Sequence, residues 1–347
     1  MNRLTVKAIS LVTLACAFCA QTAFAQTNSF ASSYSQTKQF TAGDAFRHLD
    51  ISATVGSTGL GIDIATPISN MLQLRGGFAF MPSWHYNMSF GVQVGNDPET
   101  SKSKFEKMRS FLEQMTGYEV DDCIDMIGRP TFYNFKLMLD IFPFNNKHWH
   151  FTAGAYFGST EVADAYNPAY EMQSLLAVKT YNTIYEKCEN YDPIMDFDDD
   201  ASYPDVYLPG SIYDKIYDNG RMGMHVGDYK EDVYDESGNL LHKAGDPYMM
   251  EPDKDGMVHA TMKSNAVKPY LGFGYGGRLV KDNDRINISF DAGAMFWGGS
   301  PDIYTHDGTN LTKDVEHISG KVGDYVDMAK SFKVYPVLNL RITYNLF

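Results

Sequence analysis

Beyond its amino-terminal stretch the chain has no apolar run that approaches the ~18 residues a membrane-spanning helix needs, so a helical membrane anchor is excluded. Cysteine is scarce: Cys16, Cys19, Cys123 and Cys188 are the four among 347 residues. Neither of the first two sits in a lipid-accepting context, because Leu14 stands one place too close to Cys16 and Phe18 precedes Cys19, so a lipoprotein is not expected. Basic charge is also short, with 29 Lys and Arg against 43 Asp and Glu and a net charge of −14. A surface of that sign repels phosphates, which argues against nucleic acid as a partner. Cofactor signatures are missing too. The run from Gly272 to Gly277, Gly-Phe-Gly-Tyr-Gly-Gly, resembles a dinucleotide loop on paper, but it lies inside an alternating segment and opens no helix. Room for neighbours in a crowded interior explains those glycines better.

The amino terminus reads as an export signal. Arg3 and Lys7 precede an apolar stretch from Ala8 to Ala20, and Ala23-Phe24-Ala25 has the small-x-small pattern of a signal-peptidase site. Residues 1–25 are therefore expected to be removed, leaving a flexible periplasmic segment at 26–46 ahead of the folded part at 47–347.

Alternation with a period of two then recurs eight times. It covers about 48–56, 59–66, 71–81, 132–142, 149–158, 268–279, 285–297 and the last fifteen residues. The terminal segment sets Leu338, Leu340, Ile342, Tyr344 and Leu346 against Asn339, Arg341, Thr343 and Asn345. One apolar and one polar face per strand fits a membrane barrel, with lipid outside and a polar lumen inside. Pro67 to Asn70, Pro143 to Lys147 and Val280 to Asp284 are short connections rich in turn residues. The other side has a tight turn near Ser57-Thr58 and long loops at 82–131, 159–267 and 298–332. Short periplasmic turns opposite long extracellular loops put both termini in the periplasm. Residues 84–95 alternate as well. Pro82 interrupts the pattern where the rim should lie, so a β-ribbon above the membrane is preferred to a ninth strand.

On these strands the chain resembles the small eight-stranded outer-membrane barrels, the OmpA-transmembrane and OmpW-like group of the porin-like superfamily of Gram-negative bacteria. The resemblance implies an all-β transmembrane barrel with outer-membrane lipid and the barrel-assembly machinery as partners. It departs from the group's terminal signature, because Phe347 stands in the polar phase and Tyr344 and Leu346 carry the outward one.

The inward residues are Asp50, Asp63, Asp140 and Asp291 against Arg75, Lys136 and Arg341, with His48 and His150 beside them. An eight-stranded barrel has an interior that side chains just fill, so these charges are expected to pair into a closed polar core rather than line a diffusion pore. Catalysis is not expected. His48, Asp50 and Ser52 share an inward face, but ~7 Å between successive side chains is too far for a relay on one strand. His148 and His150 would permit a metal, yet Trp and His at a barrel rim are more often interfacial anchors.

The distinctive material lies outside. Ser159 to Ala266 carries 22 Asp or Glu, 8 Lys or Arg and 12 of the 23 tyrosines. A loop this long is expected to have structure of its own, an acidic α+β cap. Helical spacing runs through Pro168 to Cys188 and again through 103–115, and two such helices can pack on each other. Glu236 to Asn239, Lys243 to Asp246 and Asp253 to Gly256 are turn signals of a hairpin or meander. Asp196, Asp198, Asp199 and Asp200 read as a solvated acidic loop, with Ca²⁺ binding as the alternative. Cys123 and Cys188 each follow one expected helix, and in an exported chain they are expected to form a disulfide. The reading is a barrel that anchors a surface-binding cap for an unknown extracellular ligand or protein. A small-solute porin is the alternative, and a barrel-embedded lipid-modifying enzyme the distant one.

Overall fold

The computed structural model describes residues 48–95, 98–197, 204–280, 283–318 and 320–346. The expected leader, the 26–46 segment, Asp198 to Asp200 and Phe347 lie outside them.

Eight strands close into an antiparallel barrel: β1 (Asp50–Gly56), β2 (Gly59–Pro67), β3 (Leu72–Phe80), β7 (Tyr133–Ile141), β8 (Trp149–Gly158), β15 (Val267–Val280), β16 (Asn283–Phe296) and β19 (Val334–Asn345). These are the eight segments expected from alternation, with bounds differing by a residue or two. The ring closes where β1 meets β19, in a register that pairs Ile51 with Tyr344 and Thr54 with Arg341. Closure leaves no free edge, so the strands satisfy one another's backbone groups without water. Among the described residues no helix is long and apolar enough to cross a membrane.

The outer face is a continuous apolar belt. Ile62, Phe135, Leu137, Phe151, Leu271 and Phe273 are among its most exposed members. Aromatic rings gather toward its two ends. Phe80, Tyr133 and Phe157 lie toward the end with the long loops, and Trp149, Tyr275 and Tyr344 toward the short-turn end, with Trp149 and Tyr275 4.9 Å apart edge to face. That is the girdle pattern of a barrel whose ends sit at the two interfaces.

The long loops grow out of the barrel instead of hanging from it. A five-stranded sheet runs in the order β17 (Asp302–Thr305), β14 (His259–Lys263), β9 (Glu161–Tyr166), β6 (Cys123–Pro130) and β4 (Tyr86–Gly91). The barrel strands adjoining these in sequence, β16, β15, β8, β7 and β3, stand in the same order below. The cap sheet is thus the barrel wall carried past the rim. Residues 84–95 belong to it, since β4 pairs with β6, and they add no barrel strand.

Above the sheet lie α1 (Pro98–Thr116), α2 (Met172–Glu189), α3 (Gly210–Asn219) and α4 (Gly320–Ser331). A second sheet is built on β10 (Met222–Tyr229), which pairs with β5 (Gln93–Val94), β13 (Pro247–Met250) and β18 (Val315–Glu316). The helices α1 and α2 meet as expected, burying Phe105, Leu112, Leu175, Val178 and Tyr181 in one apolar core. The turn signals also hold. Asp235 to Asn239 closes the hairpin of β11 (Val233–Tyr234) and β12 (Leu240–His242), and Gly256 donates to Asp253 O at 3.1 Å in a left-handed conformation that favours glycine. Asp253 to Gly256 is therefore a turn, with Asp253 Oδ1 accepting from the backbone of Asp255 and Met257.

The expected disulfide is not formed. Cys123 and Cys188 are both free. Cys188 is buried in the cap core at the end of α2, whereas Cys123 begins β6 and is exposed, so the helix turns one thiol inward while the strand presents the other to solvent. Burial pushes both thiols above the usual range, and at Cys123 the neighbouring Asp122 and Asp125 add to the effect. In folded protein a membrane-impermeant maleimide should label Cys123 slowly and Cys188 only after unfolding. A Cys123–Cys188 cross-linked peptide in non-reduced mass spectra would contradict this arrangement.

Candidate functional site

The lumen is organised in layers. At the short-turn end it opens into a cavity of about 560 Å³ lined by His48, Asp50, His148, Arg285 and Asn287, among others. Asp50 accepts a hydrogen bond from Gln73 Nε2 at 2.7 Å, and His148 Nδ1 lies 2.7 Å from the carbonyl of Gly276.

Above this cavity the expected charges do come together. Asp63, Arg75, Lys136, Asp140, His150, Asp291 and Arg341 are all buried. Arg75 grips Asp140 with both arms of its guanidinium, Nε and Nη2 each donating at 2.8 Å, and Thr152 donates to the same carboxylate at 2.6 Å. The planar fork of arginine matches a carboxylate in this way, which makes it the strongest pair in the lumen. Lys136 Nζ lies 2.7 Å from Asp63 Oδ1, and Arg75 Nη1 lies 3.6 Å from the other oxygen of Asp63. The first is an ion pair at hydrogen-bonding distance and the second a longer, charge-only contact. Arg341 closes the ring, with Nε 3.3 Å from Asp291, Nη1 3.5 Å from Asp140 and a hydrogen bond to Ser289 at 3.0 Å. With its proton on Nε2, His150 donates to Asp291 at 2.7 Å. Three carboxylates thus meet three cations around one connected network.

Glycine makes these pairs reachable. Asp63 stands opposite Gly77, which stands opposite Lys136, so the pair reaches across an intervening strand. His150, Gly274 and Asp291 repeat the arrangement. A Cβ at Gly77 would collide with the Asp63 carboxylate, and one at Gly274 with both His150 and Asp291. Gly272 and Gly293 make way in the same manner for the Tyr270 ring.

Toward the cap the lumen changes character. Phe132, Met138, Tyr156, Tyr270, Met295, Trp297 and Val337 form a buried apolar cluster. Phe132 and Trp297 meet edge to face at 6.0 Å, Trp297 and Tyr335 at 5.5 Å, and Tyr156 and Tyr270 at 5.6 Å. Beside it Lys268 is fully buried, donating to Asn134 Oδ1 at 3.2 Å and the Ser159 carbonyl at 2.9 Å, with its ammonium over the Phe132 ring. These residues are additions to the expected site. Their signal was parity, because Lys268 is in phase with Tyr270, Phe132 with Lys136, and Trp297 with Asp291.

The other suggested chemistries find no assembly. Ser52 Oγ is 2.8 Å from Thr343 Oγ1, and Asp50, which His48 also influences electrostatically, accepts from Gln73. Gly272 to Gly277 runs inside β15. Of the acidic run only Asp196 is described, and among the described residues no group of three or more His, Cys, Asp or Glu side chains is placed to hold a metal. Inside the cap, Arg221 is clasped by Glu251 and Glu186. Asp307 stays below the usual carboxylate range despite its burial, because Thr305, the Thr309 backbone and Tyr248 donate to it.

Lys136→Met should cost about 3–5 kcal/mol, since it leaves buried Asp63 with only the longer contact to Arg75. Asp63→Asn should cost a similar amount, and the double variant less than the two losses together. Gly77→Val should be comparably damaging although it removes no charge. The readout is the temperature at which the compact, SDS-resistant band disappears, and strictly additive losses would mean that the pair is not coupled.

No protein-family model and no curated protein matches the chain. Among solved structures, it is similar to CarO2 and CarO of Acinetobacter baumannii at 13% and 12% identity, each with a TM-score of 0.34, covering 86% and 85% of this chain and 98% and 96% of theirs. A major outer membrane protein of Thermus thermophilus is similar at 9% identity with a TM-score of 0.26, covering 86% of this chain and 98% of that one. Likenesses at these scores add nothing to what the closed ring establishes by itself.

Proposed function

We propose that this chain is an outer-membrane barrel with periplasmic termini, whose lumen is a structural core and whose acidic cap is a binding surface presented outside the cell. The observation that carries the reading is the double closure of the lumen. A solute leaving the cavity at the short-turn end would have to break the network of Arg75, Asp140, Asp291 and Arg341, and then pass the packed rings of Phe132, Tyr270 and Trp297. Eight strands leave little room for either, which weighs against the small-solute porin. The bonds from Gln73 to Asp50 and between Ser52 and Thr343 weigh against a barrel-embedded enzyme.

Function then falls to the cap, where long connections stand on a rigid scaffold. Its surface is dominated by carboxylates and tyrosines. Tyr191, Tyr207, Tyr217 and Tyr234 are exposed there, and tyrosine contributes contact area at small entropic cost. An extracellular ligand or protein bearing cationic groups suits such a surface, and the barrel-assembly machinery and outer-membrane lipid are the partners of the barrel itself.

In planar bilayers the protein should show little conductance. Large, stable, voltage-independent channels would sink the closed-lumen reading and favour the porin. Replacing Ala163 to Met262 by a short Gly-Ser linker should leave membrane insertion and the heat-dependent mobility shift intact, because the eight barrel strands pair around their ring without the cap. The same deletion should abolish extracellular binding. A variant that fails to insert would make the cap part of the barrel's folding unit.

A further inference from the structure

The helix α4 has three faces where a cap helix needs two. Val322, Val326 and Ala329 pack into the cap core. Asp324, Asp327 and Ser331 occupy a polar flank. A third stripe comprises Lys321, Tyr325, Met328 and Phe332, at i, i+4, i+7 and i+11, a spacing that aligns side chains along one side of a helix. Phe332 stays on that stripe because its backbone N–H donates to Met328 O at 3.1 Å, continuing the last turn. Met328 is 40% exposed and Phe332 38%. Apolar side chains on a third face of a surface helix call for a partner.

The position of the stripe identifies that partner. Phe332 lies two residues from Val334, which opens β19, pairs with Phe296 and belongs to the exposed apolar belt. On the same side the neighbouring β1–β2 connection is only a tight turn, and no cap strand rises above it. Tyr86, 6.4 Å from Tyr325 edge to face, joins the helix to the segment that follows lipid-facing Phe80, where Trp84 is 58% exposed. The apolar belt thus continues past the rim through Phe332, Met328, Tyr325, Tyr86 and Trp84. Two exposed lysines, Lys321 on the stripe and Lys333 just past its end, accompany it, and among the described residues neither has an ion-pair partner, whereas nearby Lys313 is held by Asp302 at 2.7 Å. Aromatic rings with lysines at the edge of a membrane belt mark the headgroup layer, where amine stems lie along apolar surface and the charged ends meet phosphate.

We propose that α4 and residues 81–86 form a membrane-interface element that seats Met328, Phe332 and Trp84 at the acyl boundary and binds the phosphates of lipid headgroups on the cap side through Lys321 and Lys333. The element gives the low side of the barrel, where the wall stops at the β1–β2 turn, a contact with the bilayer.

The test uses the full-length protein with Cys123→Ser and Cys188→Ala, carrying one new cysteine at a time labelled with bimane, in vesicles whose phospholipids have brominated acyl chains. Labels at Met328→Cys and Phe332→Cys should be quenched like one at lipid-facing Leu340→Cys, while one at the hairpin tip, Ser237→Cys, should not. Labels at 328 and 332 that behave like the one at 237 would overturn the proposal. The charge arm uses the double variant Lys321→Glu/Lys333→Glu, checked for heat-dependent mobility so that misfolding is recognised. Native mass spectrometry should show it losing retained phosphatidic acid relative to the parent, with diacylglycerol unaffected. Equal retention would overturn the role of the lysines, and displacement of phosphatidic acid by excess inorganic phosphate would replace the lipid site with a simple anion site.

Discussion

Closure of the strand ring is the constraint from which the rest follows. A backbone that has satisfied its own hydrogen bonds can stand in hydrocarbon, but the ring then allows each residue only two directions, lipid or lumen. With eight strands the lumen is too narrow to keep its charges hydrated, so a charge placed there must find a partner at once. Asp140 between Arg75 and Arg341 meets that demand with several directed hydrogen bonds. Asp63 meets it through Lys136 at 2.7 Å and a longer contact to Arg75.

The same narrowness gives the glycines their role. Neighbouring strands are about 4.8 Å apart, so two side chains on alternate strands must cross a third to touch. Gly77 and Gly274 remove the obstacle at the two crossings. Farther up, Gly272 and Gly293 admit the Tyr270 ring, and the lumen ends under aromatic packing that also forms the floor of the cap. Val162 and Met262, which belong to the cap strands, lie in or against that packing. The cap and the lumen are therefore joined twice, through the continued strands and through a shared apolar cluster.

This continuity explains why the acidic cap is ordered. A surface loop of more than a hundred residues would be hard to hold by its ends alone. Here it is threaded through a five-stranded sheet that inherits its order from the barrel, and its own core of Phe105, Leu112, Tyr181, Met222 and Tyr248 packs above that sheet. Most carboxylates are left for the surface, while Glu171 is buried and accepts from the Asp125 backbone, Arg221 clasps Glu251, and hydroxyls surround Asp307.

The eight strands, the side of each that faces lipid, and the short and long connections were all legible in the chain itself, because alternation is a local pattern and a membrane barrel obeys it strand after strand. Parity also placed Asp63, Arg75, Lys136, Asp140, His150, Asp291 and Arg341 inside. Which acid pairs with which base was not legible, since that depends on strand register and on a glycine on the strand between them. Parity could have revealed Lys268, Phe132 and Trp297, but not that they converge, because their neighbours come from strands distant in sequence. The separation of Cys123 and Cys188 was likewise decided by tertiary packing. Cys123 follows a helix as the sequence suggested, whereas Cys188 lies in the last turn of its own; one thiol was drawn into the cap core and the other left on a strand facing solvent, and no local pattern distinguishes those two fates.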